Sequence, residues 1–198
     1  ITKTMKKLLC AALMLFAAST ATFAQHEVGS FTLQPKVGMN VATLTNEDGS
    51  DPRIGLAAGA ELEYQATDLF SISAGALYSQ QGCKYDVQGV KTTYKLDYIN
   101  VPIMANVYVV KGLAVKLGVQ PGFNVNSSVK AKVGSKSGEA DVDAKSVDFS
   151  IPVGLSYELP TVPLVIDARY NWGVTKVVDG ADDKNSVFQF TLGYKFSL

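Results

Sequence analysis

One histidine, His26, and two cysteines, Cys10 and Cys83, are all that the 198-residue chain offers for imidazole or thiolate chemistry. A hydrolase that activates a serine or a water through histidine needs that ring beside the nucleophile. His26 instead precedes the first expected strand and reads as part of a mobile stub. A zinc set of His and Cys ligands cannot be assembled from this inventory. The expectation is therefore a chain with no catalytic residues, no metal and no cofactor.

What remains is charge, in three groups. Lys36, Lys116, Arg169 and Lys195 stand against Glu61, Glu63, Asp148, Glu158 and Asp167, and each falls on the polar parity of an alternating segment. Charges of both signs on one parity are what a closed interior requires, because an unpaired charge out of water costs several kcal/mol. The second group, Lys130, Lys132, Asp141 and Asp143, lies in a long polar segment. There Val129–Val133 and Ala140–Ala144 flank Gly134–Gly138, which predicts a hairpin with the two lysines across from the two acids. Gly82–Thr93 predicts a second extension beside it. Acids at Asp48, Asp51, Asp179, Asp182 and Asp183 form a third candidate, a bridge through divalent cations to lipopolysaccharide; ordinary loop acidity is the simpler reading.

The elements that must position these groups are strands. From Phe31 onward the apolar residues recur every second position, not at helical spacing. In Val187–Leu198, Phe188, Phe190, Leu192, Tyr194, Phe196 and Leu198 share one face. Phe31–Thr43, Ile54–Tyr64, Phe70–Gln81, Leu113–Asn126, Val147–Leu159 and Leu164–Gly173 read the same way. Tyr94–Tyr108 slips: Leu96 and Tyr98 share a parity that Val101, Ile103, Ala105 and Val107 do not, which predicts a bulge near Ile99-Asn100. Eight strands result, each near the ~9–11 residues that cross a bilayer at a tilt.

The connections alternate in length. Ala66–Asp68, Val110–Gly112 and Pro160–Pro163 are tight, whereas Leu44–Arg53, Gly82–Thr93, Ser127–Ser146 and Thr175–Asn185 are long and polar. Short turns on one side and long loops on the other are the pattern of an outer-membrane barrel. The expected fold is all-β: an eight-stranded antiparallel up-and-down transmembrane β-barrel, closed by its last strand against its first. A soluble lipocalin-like barrel or a β-sandwich would also alternate, but the soluble barrel is apolar inside. Here the polar face is rich in Gly, Ser and Asn, which suits a narrow filled interior. Tyr64, Phe70, Tyr157, Tyr194 and Phe196 fall near the turn ends, and Tyr78, Phe123, Phe149, Trp172 and Phe188 near the loop ends, as two interfacial girdles.

The N-terminus reads as a secretory signal peptide: Met5-Lys6-Lys7, then an apolar run from Leu8 to Ala18, then small residues to Ala24. Residues 1–4 read as upstream sequence, and cleavage is expected after Ala24, leaving 25–198 as the barrel domain. Loss of Lys3, Lys6 and Lys7 leaves fifteen bases against eighteen acids. A mildly acidic chain argues against a nucleic-acid partner. Cys10 leaves too, so the mature chain has Cys83 alone and no internal disulfide.

The run Leu96-Asp97-Tyr98-Ile99-Asn100-Val101-Pro102-Ile103 resembles the L-x-Y-[LI]-x-[IV]-P strand of PorT-like, porin-family outer-membrane β-barrels. Leu192-Gly193-Tyr194-Lys195-Phe196 is similar to that family's closing strand, and Phe31–Asn40 to its opening one. The final Ser197-Leu198 departs from the aromatic last residue that barrel assembly favours. The resemblance implies an outer-membrane location and no agreed activity, some members serving secretion machinery. The expected partners are outer-membrane lipid and lipopolysaccharide, with a protein partner at the external loops, and the expected state is a monomer. The role that follows is structural or surface-interaction; a narrow porin-like channel or a secretion and transport accessory is the alternative.

Overall fold

A computed structural model describes residues 26–45, 50–87, 89–134, 136–177 and 182–198. Among them run eleven strands in one sheet: β1 (Phe31–Leu44), β2 (Asp51–Gln65), β3 (Phe70–Val87), β4 (Val90–Asn100), β5 (Ile103–Val110), β6 (Leu113–Val133), β7 (Lys136–Asp141), β8 (Val147–Glu158), β9 (Leu164–Gly173), β10 (Asn185–Tyr194) and β11 (Phe196–Ser197). Each pairs antiparallel with its neighbours, and β1 closes the ring on β10 and β11, with Lys36 opposite Gly193 and Leu33 opposite Phe196. The ring holds eight staves, because β4 with β5 and β10 with β11 are single strands interrupted once, and β7 stands off the ring.

Proline sets both interruptions, since it has no N–H to give to a ladder. Across the closing seam Pro35 has no N–H to give, while on the β9 side the Lys195 amide donates to Pro163 O at 2.8 Å. Between β4 and β5, the Val101 amide donates to Pro121 O at 2.8 Å and Pro102 O accepts from Gly75 N at 3.1 Å. The Leu198 amide donates to Phe31 O at 2.9 Å, so the non-aromatic tail is still tied into the seam.

The bulge expected near Ile99-Asn100 lies elsewhere. Register shifts between Asp97 and Tyr98 against β6, with Asp97 opposite Asn126 and Tyr98 opposite Asn124. Along β4 and β5 the parity does not slip: Leu96, Tyr98, Asn100, Met104, Asn106 and Tyr108 all face inward and are buried. The assumption that apolar residues face outward fails at Leu96 and Tyr98, which pack against Val177 with Leu44 and Ala144 beside them. Near its outer end the barrel encloses an apolar core of its own.

Below that level the molecule is inside-out relative to a soluble barrel. Gln34, Lys36, Glu61, Ser73, Asn106, Lys116, Asp167, Arg169 and Gln189 are buried, whereas Val37, Met39, Leu62, Leu117, Leu155, Ile166, Phe190 and Leu192 are exposed. An apolar belt around a polar core is stable with lipid, not water, outside. Aromatic pairs mark the turn end (Phe31–Tyr64 at 4.9 Å, Tyr194–Phe196 at 4.6 Å) and the loop end (Tyr170–Phe188 at 4.8 Å).

Room for the interior charges comes from glycine on facing strands. Lys36 lies between Gly59 and Gly193, Glu61 opposite Gly75, and both Lys116 and Arg169 opposite Gly154. Long side chains thus interleave with missing ones. At Gly38 a Cβ would stand 1.9 Å from Phe190 O, so the backbone approach there admits no side chain.

Candidate functional site

The charged residues predicted to face inward do so, but they divide into separate groups. At the centre, Lys36 Nζ donates to Glu61 Oε2 at 2.8 Å and lies 3.6 Å from Asp167 Oδ2. Lys116 Nζ donates to Asp167 Oδ2 at 2.9 Å and to Glu61 Oε2 at 3.5 Å. Arg169 forks onto Asp167 through Nε and Nη2, both at 2.8 Å, and Nη2 lies 2.9 Å from Glu61 Oε1. Three bases and two acids share one buried cluster, none of their side chains more than 4% exposed. Such a cluster keeps its charges only while each has a partner.

Toward the turn end, Lys195 Nζ lies 2.9 Å from Glu63 Oε2 and 3.2 Å from Glu158 Oε2. Tyr108 and Ser71 donate to Glu63 Oε1, each at 2.5 Å. His26 is not a mobile stub. Its Nε2 lies 3.2 Å from Glu158 Oε1, with the side chain 15% exposed. The single imidazole is thus held against a carboxylate that Lys195 also engages.

Asp148 stands apart from both clusters, accepting from Thr175 Oγ1 at 2.7 Å and Asn185 Nδ2 at 3.2 Å near the loop end. Arg53 and Asp97, which the sequence reading left out, form a further buried pair at 3.3 Å, with Tyr78 donating to Asp97 at 2.9 Å. Arg53 read as loop because its strand starts earlier than the alternation does. Asp97 sits in the one segment whose apolar parity misled.

Above the apolar belt, β3, β4, β6 and β7 rise together as a four-stranded extension, so both expected hairpins form and lie side by side. The pairing within it differs from expectation. Lys130 stands opposite Glu139 and Lys132 opposite Ser137, whereas Asp141 stands opposite Ser128 and Asp143 lies beyond the strand. Glu139 is taken by Lys95 at 2.5 Å and by Ser128 Oγ at 2.9 Å. These contacts hold the Glu139 carboxyl below the usual carboxylate range. On that same outward face lie Lys84, Lys91, Lys130 and Lys132, around Thr93.

The acidic bridge is not assembled among the described residues: Asp51 stands opposite Lys84, Asp182 is ion-paired to Lys176, and Asp183 lines the barrel mouth. Asp48 and Asp179 lie outside the described residues, as does the expected signal peptide.

A polar, ion-paired interior beneath an apolar belt, with an extension on the loop side, is the architecture of a membrane barrel. The family model described as outer membrane protein beta-barrel domain matches residues 23–179. The chain belongs to that family. Solved structures agree at the level of fold. Neisserial surface protein A is 15% identical over 84% of this chain and 97% of its own, with a TM-score of 0.50. The attachment invasion locus protein of Yersinia pestis, crystallised with the heparin analogue sucrose octasulfate, is 16% identical over 86% of this chain and all of its own, also at 0.50. No curated protein sequence matches the chain. For a family member, the ring explains itself: its apolar belt meets lipid and its charge clusters fill the lumen.

Proposed function

We propose that this chain is a non-enzymatic outer-membrane barrel whose plugged lumen serves as a rigid anchor and whose extension sheet docks a partner protein at the cell surface. Within its family we place it among the PorT-like members, on the strength of Leu96–Ile103 and Leu192–Phe196. The mature protein begins after Ala24 and works as a monomer.

One observation carries this reading. β7 pairs with β6 on one side only, and all six of its residues are exposed. An exposed strand edge on a rigid base is suited to strand addition by an extended partner segment. The lysines Lys84, Lys130 and Lys132, on the outward face above the apolar belt, would meet phosphates of outer-leaflet lipid or lipopolysaccharide. A channel role is the weaker reading, because the central cluster fills the lumen that ions would need.

The test is a pair of variants of the mature barrel. Replacing Ser128–Asp141 by a short glycine linker should leave heat-modifiable migration of the folded barrel intact while abolishing its cell-surface phenotype. Ser137→Pro, which blocks the free edge at one amide without touching the β6 ladder, should reproduce that loss. An unchanged phenotype with both variants, each folded, would remove the extension from the function.

A further inference from the structure

We propose that the loop-side mouth of the barrel holds a binding site for a small organic cation with an apolar body, such as an aromatic amine or a benzylic quaternary ammonium. This site is independent of the β7 edge and lies on the opposite, inner face of the extension. Register places Tyr94 beside Cys83 and Val129, and Leu96 beside Gln81 and Ser127, on the face turned toward the barrel axis. That face, Tyr85, Tyr94 and Leu96, forms one wall of a cavity of about 240 Å³. Leu44, Val142, Ala144 and Val177 form the other walls.

The walls are built rather than incidental. Leu96 and Val177 are 3% and 2% exposed and pack on each other. The loops that complete the cavity are pinned by backbone hydrogen bonds, Lys145 N to Val177 O at 2.9 Å, Val177 N to Asp183 O at 2.9 Å and Val142 N to Ser127 O at 3.2 Å. Tyr85 and Tyr94 meet edge-on, ring centroids 5.6 Å apart, and Tyr94 remains 37% exposed toward the opening. Preformed apolar walls with a few polar groups at the rim are the usual form of a small-molecule site.

The charge at the rim sets the ligand class. Asp143 and Asp183 line the cavity, and among the described residues no basic side chain does so. The Asp143 carboxylate beside two tyrosine rings favours a cation, by direct attraction and through the ring faces. An acidic or phosphorylated ligand is disfavoured by the same carboxylate. The volume lies below the roughly 300–1,000 Å³ of drug-sized sites, so it suits a single ring or a short branched chain and excludes an acyl chain.

The experiment titrates three probes of one shape, phenethylammonium, 2-phenylethanol and phenylacetate, into the folded mature barrel in micelles, read by NMR shifts of Tyr94 and Ala144. Saturable binding of the cation is expected, roughly tenfold tighter than the alcohol, with no saturable response to the acid. Asp143→Asn should erase the preference for cation over alcohol. Ala144→Leu, which fills the cavity from its loop side, should abolish binding of both while the gel-shifted folded band persists. Equal responses to all three probes, a cation that never saturates, or binding unaffected by either variant would each overturn the site.

Discussion

Lys36 and Glu61 meet across 2.8 Å at the centre of the barrel, the lysine side chain wholly buried and the glutamate 1% exposed. Their pairing is one edge of a cluster in which Glu61 and Asp167 together answer Lys36, Lys116 and Arg169. Glu61→Gln leaves three bases facing one acid, which should cost about 3–5 kcal/mol of stability. Lys36→Met added to that change restores the original excess of a single base. The double variant should therefore lose about 0.5–3 kcal/mol less than the sum of the Glu61→Gln and Lys36→Met losses, a coupling that urea unfolding of the three variants in lipid vesicles would measure. Additive losses in the cycle would mean that the two residues do not act as a pair.

Close strand approach gives a second, sharper contrast. A Cβ at Gly38 would lie 1.9 Å from Phe190 O and 2.6 Å from Thr191 Cα, both backbone atoms that cannot swing aside. Gly138, in the extension, would place its Cβ in open space. Gly38→Ala should cost about 1–3 kcal/mol or prevent closure of the β1–β10 seam, whereas Gly138→Ala should stay within about 0.5 kcal/mol of the parent. The fraction of heat-modifiable folded barrel after refolding distinguishes them; equal yields would show that the seam relaxes.

The interior charges were legible in the sequence because parity is a local property: two-residue spacing from Val187 to Leu198 fixes which side chains turn inward whatever the partner strand does. Partner identity is not local. Lys130 meets Glu139 and not Asp141 because the hairpin turns at Gly134, whose φ of 58° the sequence pattern does not specify between Gly134 and Gly138. Leu96 and Tyr98 misled for a different reason. The rule that apolar residues face lipid holds only at membrane depth, and these two sit where the wall rises past the belt and closes over its own apolar core. The contact that fixes His26 was not legible because its partner, Glu158, lies 132 residues away.

A filled lumen should not conduct. Lys36, Glu61, Lys116, Asp167 and Arg169 occupy the cross-section at one level, and Lys195, Glu63 and Tyr108 block it again toward the turn end. The purified barrel in planar bilayers is expected to give no current above leak. Steady, sizeable single channels would show that the clusters open and would revive a channel role.

Outside the membrane the Lys95–Glu139 contact should make the extension acid-sensitive. Lys95 Nζ at 2.5 Å and Ser128 Oγ at 2.9 Å stabilise the ionised Glu139, holding its folded pKa below the ordinary 4.5. For a carboxylate depressed on folding, the stabilisation is fully present above the ordinary value and is lost as pH falls through the lowered one. The group is solvent-exposed, so the effect is local to the hairpin and weakens with added salt. Amide shifts of Lys130–Val133, followed from neutral pH downward, should report a transition with its midpoint below 4.5. Lys95→Met should move that midpoint upward, and Glu139→Gln should remove it. A wild-type midpoint at or above the ordinary carboxylate value, unmoved by Lys95→Met, would mean that this contact does not hold β4 to the β6–β7 hairpin in solution.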